Sequence, residues 1–168
     1  DTVANPAGKV LDLKRVAAIA HKHGVPMIVD NTFPPPILCR PIEFGVDIVT
    51  HSTTKYMDGH AMAVGGCIVD SGNFDWEANH DRFKGLTEPD PSYHGLAYTK
   101  AFGKGAYITK ATAQLMRDFG SIQSPQNAYY IQLGLESLPV RMARHCVNAQ
   151  KVAEFLASDD RIAWVKTS

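Results

Sequence analysis

An α/β fold with a mixed, mostly parallel sheet flanked by helices is what this sequence predicts, and three apolar runs predict it. The first, Val25 to Val29, ends at Asp30, and the second, Val46 to Val49, ends in the polar stretch Thr50 to Lys55. Between them, Asn31 to Gly45 has about the dozen residues that a crossover between parallel strands needs. The third run, Val64 to Val69, comes too soon after Lys55 for such a crossover, so it is expected antiparallel to its neighbour or at the sheet edge.

Upstream of these strands, Asp12 reads as an N-cap, and Leu13, Val16, Ala17 and Ala20 recur at helical spacing until Gly24, with Lys22 and His23 in the last turn. From Asn73 to Ala106 the pattern breaks up around Pro89, Pro91 and scattered glycines, which predicts a long surface insertion with short elements. Ser124-Pro125 is an N-cap and first-turn pair that opens a helix through Tyr129, Leu133 and Leu135. Pro139 is expected to start a second helix, whose apolar stripe is Met142, Cys146, Ala149, Val152, Ala153 and Leu156. Ile162 to Val165 reads as a last strand. Leu138-Pro139 is then the expected boundary between residues 1–138, part of one large domain, and residues 139–168, the start of a smaller C-terminal α/β domain.

The 168 residues carry 17 Lys+Arg against 17 Asp+Glu, so no net field draws the molecule to nucleic acid or to anionic membranes. No apolar run approaches the ~20 residues of a membrane helix, and no signal-peptide pattern opens the chain. A cytoplasmic location is expected. Cys39, Cys67 and Cys146 are too few and too scattered for a disulfide framework or a zinc ribbon, so reduced thiols and no metal site are expected. Asp1 stands where a complete chain would have Met, and Asp1 to Asn5 has no cap or turn signal, so the sequence is expected to be part of a longer protein.

In open α/β sheets ligands sit beyond the carboxyl ends of the parallel strands, and the chemistry-bearing residues fall there. Asp30-Asn31-Thr32 lies after one strand and His51-Ser52-Thr53-Thr54-Lys55 after the other; if Asp1 to Ala4 is a remnant of a third, Asn5-Pro6 lies on the same lip. A lysine in such a cleft can lose hydration and attack an aldehyde as the neutral amine. Pyridoxal phosphate is such an aldehyde; Asp30 could hold its pyridine nitrogen protonated, and Ser52 and Thr54 could donate to its phosphate.

Taken singly, each residue has an ordinary explanation: strand-end carboxylates cap helices, and strand-end lysines are solvated. Only their combination points to a site. His21 and His23 suit the dipole at a helix C-terminus, and His60 has no third ligand at metal-binding spacing. Gly103-Lys104-Gly105 lacks the phosphate-loop spacing, and neither G-x-S-x-G nor G-x-G-x-x-G occurs. Tyr93, Tyr98, Tyr107, Tyr129 and Tyr130 are expected to be packing groups.

Several motifs resemble one family. Val29-Asp30-Asn31-Thr32-Phe33, His51-Ser52-Thr53-Thr54-Lys55-Tyr56, Gly59-His60 and Asn5-Pro6 resemble the cofactor signature of the Cys/Met metabolism group of pyridoxal-phosphate enzymes, of fold type I. Leu38-Cys39-Arg40-Pro41, Val69-Asp70-Ser71-Gly72 and Glu88-Pro89-Asp90-Pro91-Ser92-Tyr93-His94-Gly95 resemble the branch that acts on O-acetylhomoserine. The resemblance implies Lys55 as the Schiff-base lysine and sole catalytic residue of the segment, and Asp30 as the partner of the pyridine nitrogen. It further implies Ser52 and Thr54 as phosphate ligands, and Asn5 at the cofactor's phenolic oxygen or the substrate carboxylate. Thr32 would support the cofactor near that oxygen.

The implied reaction is γ-replacement on O-acetyl-L-homoserine, in which sulfide or methanethiol displaces acetate to give homocysteine or methionine. A homotetramer is implied as the assembly. The family's upstream glycine-containing phosphate loop, its stacking aromatic ring and its downstream arginine for the substrate carboxylate have no counterpart here, so these residues alone are expected to be inactive and poorly soluble. A cystathionine γ-synthase, or a cystathionine or methionine lyase of the same family, shares the lysine and aspartate. Outside catalysis, a noncatalytic assembly module of the same fold is the remaining reading.

Overall fold

The computed structural model describes residues 1–167. Its centre is a three-stranded sheet in the order β3-β4-β5, formed by β3 (Ile28–Asp30), β4 (Ile48–Ser52) and β5 (Gly66–Asp70). β3 and β4 are parallel, with Asp30 opposite Thr50, and β5 returns antiparallel, with Ser52 opposite Gly66. The mixed sheet is therefore the expected one. A separate antiparallel pair, β1 (Val3–Ala4) and β2 (Lys9–Val10), opens the chain. The Thr2 amide donates to Asp30 O at 2.9 Å, which sets the start of the chain against the end of β3.

β3 starts later than the apolar pattern predicts, for a local reason. Pro26 has no amide to donate, and the Met27 amide bonds the Asp47 carboxylate at 2.8 Å instead of a ladder carbonyl. β4 in turn runs past Val49 into polar residues, because antiparallel pairing with β5 gives His51 and Ser52 their ladder partners. Asp47 is 3 % exposed and also receives His21 Nε2 at 2.8 Å. His21 thus serves a buried carboxylate in addition to suiting the helix end.

Helix α1 (Leu13–Lys22) begins as expected, with the Asp12 carboxylate accepting the Arg15 amide at 3.0 Å. It lays Leu13 and Ala17 on the sheet face that carries Val29 and Val49, with Met27 and Val46. Ile48 points to the other face and packs with Trp76, Leu86, Tyr98 and Ala106. That second cluster comes from the insertion, whose short helices are α2 (Lys84–Thr87) and α3 (Tyr98–Phe102). Next comes a helical stretch that the sequence reading did not identify: α4 (Ala106–Lys110), a π-helical turn Ala111–Met116 and α5 (Arg117–Phe119), closed by Gly120 at φ 69°.

The last helix, α6 (Pro125–Ala157), and the residues after it correct two expectations. It begins at the predicted cap, where Ser124 Oγ accepts the Asn127 amide at 3.1 Å, but it runs on through Pro139 instead of restarting there. An interior proline costs a helix ~3 kcal/mol, and packing on both sides of it offsets that cost. Ile131, Leu138 and Met142 are buried in one stripe against Met57 and Ala63. The second correction concerns Ile162 to Val165, which is irregular chain and not a strand. Among the described residues no helix is long and apolar enough to cross a membrane.

Candidate active site

β3 and β4 end side by side, and two hydrogen bonds tie their ends together. The Thr32 amide donates to Asp30 Oδ1 at 2.8 Å, and the Ser52 amide donates to Thr32 Oγ1 at 2.8 Å. Asp30 is thereby oriented by the backbone two residues on, an Asx arrangement that leaves Oδ2 without a partner among the described residues. Thr32 is buried and acts as the tie between the two strand ends. Its hydroxyl accepts the Ser52 amide and keeps its own proton to donate.

Lys55 lies three residues beyond Ser52 in a compact turn. The Asp58 amide donates to Thr53 O at 2.9 Å, and the Gly59 amide to Lys55 O at 2.8 Å. The Lys55 side chain is exposed, and its amine has no partner among the described residues. Thr54 Oγ1 donates to Gly65 O at 3.2 Å and accepts from Gly65 N at 3.1 Å, pinning the turn to the start of β5. Ser52 Oγ carries no such bond among the described residues. The two predicted hydroxyls therefore differ: one is free and one is engaged.

Asn5 is exposed in the turn between β1 and β2, and its peptide bond to Pro6 is cis. It is brought toward the strand ends only through Thr2 and Asp30, and no bond joins it to the other predicted residues among those described.

On the opposite face of the sheet, His51 is 5 % exposed and Asn31 0 %. Asn31 Nδ2 donates to Cys39 O at 2.9 Å, while Asn31 Oδ1 and His51 Nδ1 are buried without partners among the described residues. Both line a cavity of about 320 Å³ walled by Ile42, Val49 and Val69. Burial lowers the His51 pKa, against smaller upward pulls from the Asn31 backbone and the Asp30 charge. Burial also raises the Cys39 thiol, and Glu43 adds to the rise, so this thiol is held away from its reactive form.

Sequence reasoning missed the groups that support the lysine turn. Asp58 is fully buried, and its Oδ2 accepts the His60 amide at 3.2 Å and the Met62 amide at 3.0 Å. Burial pushes this carboxyl up, but the amides of Met62, His60 and Ala63 outweigh it and hold the pKa below the usual range. The signal was available as an acidic residue one position before a glycine, the local pattern of a self-capped turn. From α6, Gly134 faces the turn's carbonyls; a glycine inside a strongly helical segment was the mark that could have found it.

The exposed amine, the free Asp30 oxygen and the free Ser52 hydroxyl fit pyridoxal phosphate, since they supply an imine-forming nitrogen, an anion for a pyridinium and a donor for a phosphate. Comparisons with known proteins point to the same cofactor. The family model described as Cys/Met metabolism PLP-dependent enzyme matches residues 1–167. An O-acetyl-L-homoserine sulfhydrylase of Leptospira meyeri is 47% identical over 173 residues, covering 98% of this chain and 39% of that protein. A homocysteine synthase of Schizosaccharomyces pombe is 45% identical, again over 98% of this chain and 39% of its own length. Among solved structures, a candidate O-acetylhomoserine (thiol)-lyase of Campylobacter jejuni, containing N'-pyridoxyl-lysine-5'-monophosphate, superposes with a TM-score of 0.88 at 38% identity over 95% of this chain and 39% of that one. The chain thus spans well under half the length of the relatives it matches. Its fold is theirs over that span, and by the match to 1–167 the chain belongs to the Cys/Met metabolism family of PLP-dependent enzymes.

Proposed function

We propose that these residues form the catalytic centre of an enzyme that replaces the acetate of O-acetyl-L-homoserine with sulfide, giving homocysteine. Methanethiol is the alternative acceptor and would give methionine. One observation carries this reading: Asp30, Thr32 and Ser52 are tied together by 2.8 Å bonds, with Lys55 in the adjoining turn. That the relatives named above are sulfhydrylases and homocysteine synthases supports the choice of substrate.

Pyridoxal phosphate, when bound, supplies an electron sink for charge released at the substrate's Cα. Lys55 Nζ would hold it covalently, and the same Nζ, when free, would take and return the substrate's Cα proton. Asp30 Oδ2 would face the pyridine nitrogen, with the Thr32 amide holding Oδ1. Ser52 would donate its hydroxyl to the phosphate, and Thr54 could do so only by giving up its bond to Gly65 O. Asn5 would bond the phenolic oxygen or the substrate carboxylate. In net terms the Cγ–O bond breaks, acetate leaves, a C–S bond forms and the thiol proton is released.

The division at Leu138-Pro139 belongs to the same proposal: the packed stripe of α6 ends at Met142, and Val147, Val152 and Phe155 beyond it are exposed, as expected where a further domain begins. These exposed residues also favour the proposed homotetramer. The three cysteines are free, which is consistent with a cytoplasmic enzyme. Product analysis tests the reading. Full-length protein given O-acetylhomoserine and sulfide is expected to release homocysteine and acetate in equal amounts; formation of cystathionine from cysteine instead, or turnover of cystathionine itself, would assign it to the synthases or lyases.

A further inference from the structure

We infer that Gly134 and Arg141 of α6 are positioning residues for the lysine turn, setting where Lys55 presents its amine; the link to catalysis rests on the function proposed above. A Cβ placed on Gly134 would lie 2.1 Å from Asp58 O and 2.4 Å from Met57 O, closer than any side chain can stand to a carbonyl. Gly134 has ordinary helical backbone and is buried, so a left-handed conformation does not demand glycine here. Glycine costs a helix interior ~1 kcal/mol relative to alanine. The close approach of the turn's backbone is what requires it.

Arg141 completes the contact two helical turns further along. Its Nη2 donates to Gly134 O at 2.8 Å and its Nε to Ser137 Oγ at 2.9 Å, so the guanidinium is fixed to its own helix. It lies over Gly59, where an added Cβ would sit 2.6 Å from Arg141 Cζ, and Gly59 has φ 70°. Gly59 is also the residue whose amide closes the turn onto Lys55 O. The helix therefore touches the turn at the carbonyls of Met57 and Asp58 and at Gly59, while the Thr54–Gly65 bonds hold the turn at a separate point. Lys55 is held between two supports, and a backbone shift at either one moves its amine.

The test uses full-length protein with three variants: Gly134→Ala, Arg141→Gln and, as a control, Ser124→Ala, which removes the α6 cap without touching the turn. Two readouts are taken. Amide exchange at Asp58 and Gly59 reports the turn whether or not cofactor is bound, and the pH titration of the near-visible band of lysine-bound cofactor reports the surroundings of the Lys55 nitrogen. Gly134→Ala is expected to speed exchange at both amides at least about tenfold, to shift the titration midpoint by about one pH unit, and to lower kcat up to about 100-fold. Arg141→Gln moves both readouts in the same direction, by less. Ser124→Ala lowers Tm and leaves both unchanged.

Unchanged exchange and midpoint in Gly134→Ala, with only a lower Tm, overturns the inference. If Gly134→Ala does not fold, Arg141→Gln decides by the same criteria. Faster exchange in a protein whose wild type shows no lysine-bound cofactor would leave the turn's support standing and sink the proposed function instead.

Discussion

That Asp30 and Ser52 end two neighbouring strands, with Thr54 and Lys55 just beyond, was legible in the sequence from the apolar runs that stop there, and four polar groups at two such ends exceed what capping needs. The bonding of the two hydroxyls was not legible, since it depends on where β5 starts. It yields a contrast between Ser52→Ala and Thr54→Ala. Loss of the free Ser52 hydroxyl is expected to weaken cofactor retention about tenfold with little change in Tm, as read by equilibrium dialysis. Loss of Thr54 Oγ1 leaves the Gly65 amide unpaired, while Gly65 O keeps the Thr53 amide at 3.0 Å, and is expected to cost ~1–3 kcal/mol of stability, read by denaturant unfolding.

A second single-residue case lies in the insertion. Lys110 Nζ stands 2.8 Å from Asp90 Oδ2, and this hydrogen bond, with those from Ser92, holds the Asp90 carboxyl far below the ordinary carboxylate range. A depressed folded pKa stabilises the fold above the unfolded value of ~4, and the stabilisation is lost as the pH falls through the folded pKa. Lys110→Met is expected to bring Asp90 back up toward ordinary values in an NMR titration and to shrink the loss of stability on acidification.

At the scale of elements, α1, the β3–β4 crossover and the antiparallel β5 could be read from caps, run lengths and the short link after Lys55. The features that could not be read were decided by partners distant in sequence. Pro139 signals a helix start locally, yet Ile131, Leu138 and Met142 pack on the same side across it. The Ile162 to Val165 run has strand-forming residues but no pairing partner among the described ones. The packing of α6 predicts that Leu138→Ala, which empties a site 4 % exposed against Met57, costs ~2–5 kcal/mol, whereas Val140→Ala, at 74 % exposed in this chain, costs ~0.5 kcal/mol or less. Thermal unfolding of the two variants checks the difference.

For the molecule as a whole, the sheet serves as a platform whose ends carry the chemistry, while α6 and the start of β5 brace the turn that bears the lysine. Val64, Phe119, Val140, Phe155 and Trp164 are large apolar side chains that stand exposed in this chain. Everything proposed for the site depends on Lys55 carrying pyridoxal phosphate. Borohydride reduction of the purified full-length protein, with intact mass and peptide mapping afterwards, probes that bond itself: one phosphopyridoxyl adduct per chain is expected, on Lys55 and absent from Lys55→Ala, and a full-length protein with no adduct, or with the adduct on another lysine, would contradict it.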